Sequence, residues 1–446
     1  MTKAIRAFII TFAIFALGVG PALGQAPAAP PALDAAKKKA VVDEIAALFN
    51  KNYIFADTAK KVEDALRAKL GAGGFDGAVT APEFAAAVAA VILEVSQDRH
   101  TGFAYNPAMA EDFRRLEGRS EEEAKKVRER QLEESRRDNF GFRKVERLPG
   151  NVGYLDFRVF ASPGEAGPTA VAAMNFLAHC DAIIVDLRQN GGGDPAQIQL
   201  ISSYFFDEPV HLNDLYARAT DTTENYWTLP YVPGARASEA DVYVLTSART
   251  FSGAEEFSYN LQNLKRATII GETTGGGAHP TDAMTVQRDF ILRVPFARAI
   301  NPVSKTNWEG TGVKPDIACP AAEAFDRAYA LAVEKLAAKA ATPGRKAAYD
   351  WILAGQKAKA APVRVDERTL KSYAGVYGER KVTLENGALF YQRTGPKSRL
   401  TPLTATLFAL DGNEGFRLEF VIREGRVVEL AGLYENGRKD VSPRTK

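Results

Sequence analysis

Cysteine is scarce in this chain: Cys180 and Cys319 are the only two in 446 residues. Their spacing fits neither a redox pair nor a zinc site, and leaves open one long-range disulfide or two buried thiols. Charge of one sign is also wanting. Lys and Arg number 57 against 55 Asp and Glu, a formal net charge of +2, so nothing points to nucleic acid or to an acidic partner. The glycine-rich turns lack both the GxxxxGK[ST] and the GxGxxG spacing, which argues against a nucleotide cradle; no cofactor and no metal site is expected. The apolar run at residues 7–20 is too short and too weakly flanked for a confident membrane span. No cysteine lies near its end, so neither a lipid anchor nor any other stable membrane anchor is expected.

What is present begins with that run. Lys3 and Arg6 precede it, and Ala22-Leu23-Gly24 offers small residues for a signal peptidase. Residues 1–24 therefore read as a signal peptide and the product as exported, periplasmic or secreted. A Pro/Ala-rich linker occupies 25–36. The whole chain is 46% hydrophobic and 25% charged, the composition of a globular protein of two or three domains. Val41, Ile45, Leu48 and Phe49, then Phe84, Val88, Val91, Ile92 and Val95, recur at three and four, giving an N-terminal helical domain over 37–103. Mixed charges fill an arm over 104–150, where Ser120-Glu121-Glu122-Glu123 makes a capping box. Strands and helices then alternate over 151–340, the pattern of an α/β core with a mostly parallel sheet. A connector at 341–362, with room for a short helix around Trp351, leads to short alternating strands over 363–446, which predict a small antiparallel β-barrel, lipocalin-like in pattern.

The core is organised around the strand Asp241-Val242-Tyr243-Val244-Leu245-Thr246 and the Ser252-Gly253-Ala254-Glu255 that follows it. A serine between strand and helix is placed for nucleophilic attack, with free amides and the helix dipole beside it. The same residues also make an ordinary capping box. His100 stands in a polar turn after a helix, where most histidines are structural partners. The Gly191-Gly192-Gly193 turn can either face a developing oxyanion or simply reverse the chain.

The order of the motifs carries a resemblance. Asp98-Arg99-His100-Thr101 comes first, then Asp186-Leu187-Arg188-Gln189-Asn190-Gly191-Gly192-Gly193 and Thr250-Phe251-Ser252-Gly253-Ala254-Glu255. Gly271-Glu272-Thr273-Thr274-Gly275 and Glu309-Gly310-Thr311-Gly312-Val313 follow. This resembles the tail-specific (C-terminal-processing) and tricorn-like serine peptidases, and so implies a crotonase-like α/β core. The processing branch has a lysine where this chain has Gly277, and a PDZ domain for which 104–150 is too short and too helical. The His/Glu branch without PDZ domain is the one implied: Ser252 as nucleophile, His100 as base, Glu309 as its orienting acid, and the Gly192 and Gly253 amides as oxyanion donors. Arg99 replaces a serine of that pattern. His279, on the glycine-rich turn, is the alternative base. The implied partner is a polypeptide substrate. Interphotoreceptor retinoid-binding protein domains are similar too, which gives the alternative of a non-catalytic carrier of an apolar, retinoid- or lipid-like ligand.

Overall fold

The computed structural model describes residues 32–118 and 120–445; the signal peptide and most of the following linker lie outside the described residues. The chain divides into two compact units. Of the described residues, one comprises those up to 146 together with 153–324, the other 147–152 with 325–445.

In the first unit, helices α1 (Ala35–Asn52), α2 (Ala56–Gly71) and α3 (Ala81–Ser96) bury the apolar stripes expected of them, among them Val41, Ile45, Phe49, Phe84, Val88 and Ile92. Asp34 caps α1, and Thr80 with Glu83 forms a capping box on α3. Gln97 ends α3 in the left-handed conformation. This turns the chain sharply, so that Asp98 and His100 precede strand β1 (Gly102–Tyr105) rather than extending a helix. Helices α4 (Pro107–Gly118) and α5 (Glu121–Arg137) follow. α5 buries no side chain and carries the Glu122–Lys126 pair at i, i+4, as a solvated helix should.

Next come β2 (Phe142–Leu148), β3 (Val152–Phe157), α6 (Pro163–Leu177), β4 (Ala182–Asp186), α7 (Pro195–Ser202), β5 (His211–Ala217), β6 (Thr222–Trp227) and β7 (Asp241–Thr246). Then follow α8 (Gly253–Asn263), β8 (Ala267–Gly271), β9 (Thr281–Val286), β10 (Phe290–Pro295), β11 (Ala297–Ile300) and β12 (Ile317–Ala318). The central sheet runs β12-β8-β7-β4-β3-β2, and β12, β8, β7 and β4 pair in parallel. All of β4 and most of β7 are buried. Strands covered on both faces lose polar alternation, which is why these read as continuous apolar runs. Their carboxyl ends release the 187–194, 247–252 and 272–279 turns together.

Two further sheets escape pattern reading. β5 joins β6 and β11, and β1 joins β10, which pairs with β9. The β1–β10 register sets Gly102 against Arg293 and Tyr105 against Phe290. It ties the end of the helical segment to a strand almost two hundred residues later. Cys180 and Cys319 are not joined in a disulfide.

The second unit holds α9 (Ala324–Ala338), α10 (Pro343–Ala360), α11 (Glu367–Tyr373) and eight strands, β13 (Gly375–Tyr377), β14 (Arg380–Glu385), β15 (Ala388–Gln392), β16 (Ser398–Pro402), β17 (Leu407–Leu410), β18 (Asn413–Arg423), β19 (Arg426–Tyr434) and β20 (Lys439–Pro443). These pair antiparallel in sequential order, and a Tyr377–Arg444 bridge nearly closes the barrel. Tyr373, Tyr377, Leu418, Phe420 and Leu430 belong to its fully buried core, so the barrel is filled by its own side chains and an apolar cargo gains no support. The stretch expected to be a connector is largely α10. Thr342 caps it, Pro343 suits its first turn, and its alanines and lysines are strong helix formers. Trp351 of α10 lies 3.8 Å from the buried Arg417 guanidinium, whose pKa burial pushes down to about 10. Trp351→Ala is expected to uncover this cation and cost the C-terminal unit about 2–3 kcal/mol, read as a lower melting transition by calorimetry.

Candidate active site

Ser252 ends the turn after β7 with φ 52° and ψ −121°. A capping serine is normally extended; a non-glycine residue at this φ is strained, at a cost of about 1–3 kcal/mol. Neighbouring bonds hold it there. The Thr250 hydroxyl donates to the Leu187 carbonyl (2.8 Å), the Ser247 hydroxyl to the Arg188 carbonyl (2.6 Å) and the Phe251 N–H to the Asn190 carbonyl (3.1 Å). The serine turn is thereby bolted to the turn after β4. The result is the sharp strand-to-helix corner that projects a side chain outward.

The glycine turn is pressed against this corner. A methyl on Gly192 (φ 105°) would lie 2.6 Å from the Gly253 nitrogen and 2.9 Å from the Ser252 Cβ, so only glycine fits. The Gly192 N–H, expected to face an oxyanion, donates to the Asn190 side-chain oxygen at 2.8 Å. Asn190 is fully buried and also donates to the Phe157 carbonyl. Among the described residues the Gly193 and Gly253 N–H groups have no acceptor.

Glu255 does more than complete a capping box. One carboxylate oxygen accepts from the Ser252 N–H (2.7 Å) and the Gly277 N–H (2.9 Å), the other from the Gly276 N–H (2.7 Å) and the Thr274 hydroxyl. It clasps the 274–277 turn to the serine. Burial pushes its pKa up to about 7 despite these donors, and burial likewise raises Glu256 to about 7. Both folded values lie above the ordinary carboxylate value. The stability these groups contribute is therefore present at acid pH and is lost as pH rises from about 4.5 through 7, on the order of 3 kcal/mol each. Activity should run the other way, rising through pH 7 as Glu255 ionises to meet its four donors. In Glu255→Gln the amide NH2 faces two donors with no acceptor. The variant is expected to lose about 2–4 kcal/mol of stability and at least tenfold in activity, measurable by denaturant titration and by pH–rate profiles of both proteins.

The histidines meet on two carboxylates. His100 is 8% exposed, and neither of its ring nitrogens has a hydrogen-bond partner. Its Nδ1 lies 3.7 Å from Glu309 Oε2 and 3.8 Å from Asp98 Oδ1, and its ring packs on Phe251 with centroids 4.9 Å apart. His279 Nδ1 is bonded to Asp98 Oδ2 at 2.7 Å and lies 3.6 Å from Glu309 Oε2. The Ala278 N–H donates to Glu309 Oε2 at 2.6 Å, and the Tyr53 hydroxyl to Asp98 Oδ2 at 3.2 Å. Burial alone would raise the Asp98 pKa. The hydrogen bond and charge of His279, with the His100 N–H, outweigh it and hold the carboxyl below its ordinary value. Asp98 and Asn190 stand inside the motifs already quoted, yet only their spatial neighbours assign them work. Tyr53 carries no signal of this kind in the sequence. Arg99 points elsewhere, donating to the Gly275 carbonyl at 2.8 Å. Gly277, where the processing branch has lysine, has no space for a side chain: a methyl there would lie 2.3 Å from Phe251 Cζ and 2.5 Å from His100 Cε1. A separate surface cleft lined by Gly271, Thr273, Lys314 and Cys319 contains none of these residues.

Residues 151–319 match the model of peptidase family S41. Among solved structures, a Bacteroides fragilis NCTC 9343 protein assigned to the S41 proteases is 24% identical, with 40% of this chain and 51% of that one covered and a TM-score of 0.37. The photosystem II D1 C-terminal processing protease is 21% identical over 38% of this chain and 42% of its own, with a TM-score of 0.32. The tricorn protease is 14% identical over 67% and 37%, with a TM-score of 0.41. The chain thus spans about half the length of the Bacteroides protein and less of the other two. His100 falls outside the matched residues, whereas Ser252, Glu255, His279, Glu309 and the 190–193 turn fall within them. Over residues 151–319 the chain is thus similar to peptidase family S41.

Proposed function

We propose that this protein is a serine peptidase that hydrolyses peptide bonds of unfolded or extended polypeptides after export. One observation carries the reading: strained Ser252 beside two amides, those of Gly193 and Gly253, that have no partner among the described residues. The Ser252 hydroxyl attacks the scissile carbonyl, His100 takes its proton and returns it to the leaving amine, and the two amides stabilise the oxyanion. Glu309 and Asp98 orient and charge-stabilise the imidazole, with Glu309 in the place of the usual triad acid. The buried, unpartnered His100 nitrogens support this role, since the base is free to engage the serine once substrate displaces the Phe251 ring. Catalytic hydrogen bonds of unliganded enzymes commonly tighten only in the complex. A crotonase-like arrangement of the core is consistent with the parallel β4, β7 and β8 strands.

The test is a fluorophosphonate probe followed by peptide mass mapping. A stoichiometric adduct on Ser252 is expected. An unlabelled, folded protein with no peptidase activity would overturn the assignment.

A further inference from the structure

His100 and the three side chains around it have a chemistry that acid–base catalysis leaves unused. We infer that Asp98, His279 and Glu309, completed by His100, bind a divalent transition-metal ion of the zinc class, and that this ion holds the peptidase in an off state. The second half rests on the serine-peptidase reading; the first does not.

The donors are two imidazole nitrogens and two carboxylates, the set that suits zinc and its neighbours rather than calcium or magnesium, which take oxygen ligands. Donor atoms of Asp98, His279 and Glu309 all lie within 4.8 Å of one another. Zinc–nitrogen and zinc–oxygen bonds of about 2.0–2.2 Å place tetrahedral donors roughly 3.3–3.6 Å apart. His279 Nδ1 to Glu309 Oε2 is 3.6 Å, His100 Nδ1 to Glu309 Oε2 is 3.7 Å and His100 Nδ1 to Asp98 Oδ1 is 3.8 Å. These three gaps are within a few tenths of an ångström of ligation. Asp98 Oδ2 to His279 Nδ1, at 2.7 Å, is a hydrogen bond that the ion would replace. His279 would bind through Nδ1 as the neutral imidazole, its remaining ring proton on Nε2.

Burial adds the independent sign. His100 is more than nine-tenths buried, with Nδ1 unpartnered and directed at both carboxylates, and Glu309 Oε1 is buried without a partner. Unsatisfied polar atoms of this kind are costly unless something fills the gap between them. The outer contacts are those of a held site as well, with the Tyr53 hydroxyl on Asp98 and the Ala278 N–H on Glu309. A metal on His100 Nδ1 fixes the ring and removes its capacity to become imidazolium, so the base is lost while the ion stays.

The experiment uses the full chain, stripped with a chelator and titrated with Zn2+ by calorimetry, with Co2+ absorption as a second readout. Wild type and Ser252→Ala are both expected to bind one ion per chain. Glu309→Gln and His279→Gln, checked for folding by circular dichroism, are expected to bind roughly 100-fold more weakly. In wild type, Co2+ should give the strong ligand-field bands of four-coordinate nitrogen and oxygen ligation. No binding to wild type, or unchanged binding in both variants, overturns the site. Zn2+ should also slow fluorophosphonate labelling of Ser252, and a chelator should restore it. Binding without slower labelling overturns the off state alone. A protein that binds zinc but is never labelled keeps the site and removes the peptidase reading.

Discussion

Ser252→Ala is expected to abolish fluorophosphonate labelling and to lower hydrolysis of an unfolded protein substrate by about 10^4–10^6-fold, with the fold intact. The alternative role for Ser252 is structural, and the two roles separate in their effect on stability. A lost helix cap costs about 1 kcal/mol. Here the bond that fastens the corner runs from the Ser252 N–H to Glu255, and alanine keeps that N–H. The melting temperature should therefore stay nearly constant. Some softening at a strained φ of 52° is expected to be small, because alanine and serine share the same backbone limits. Undiminished peptidase activity in the variant would remove serine chemistry from the protein.

The second large effect concerns the base. His100→Ala should lower kcat by about 10^4–10^6-fold with little change in KM, since the ring acts on the reacting proton and is not built to grip substrate. His279→Ala should cost about 10–100-fold. His279 is held at Nδ1 by Asp98 and shares Glu309 with His100, so its removal loosens the carboxylates that steer the other ring. The comparison is decisive in either direction. A variant series in which His279→Ala is the near-dead protein and His100→Ala retains most activity would transfer the base to the 277–279 turn. Single-turnover labelling by the serine probe reports the same ranking without dependence on a chosen peptide substrate.

How much of this could be read from residues alone follows the range of the forces involved. Local pattern specifies β7 to the residue and places α8 directly after the serine, because a buried parallel strand and a capped helix are written in consecutive positions. It also specifies the helices of the first hundred residues and the antiparallel texture of the barrel. The glycine at 192 is legible as a need for close backbone approach, although which of the neighbouring amides stays free is not. The Asn190 side chain takes the Gly192 N–H, while the Gly193 N–H has no acceptor among the described residues. At 343–360 alanine and lysine make a helix that includes Trp351, longer than the short helix the connector's residues suggest.

The sequence by itself determined the setting of Ser252, since a strand, a sharp turn and a helix N-terminus need only neighbours along the chain. The tertiary structure alone decided the company of the histidines. Asp98 and His279 are 181 residues apart, and they touch because β1 pairs with β10 in one register, bringing the turn before β1 to the turn before β9. Strand pairing between distant segments is chosen by the burial of both partners at once, here Phe103 and Phe290 with stacked rings 5.1 Å apart. No stretch of sequence read singly contains that choice.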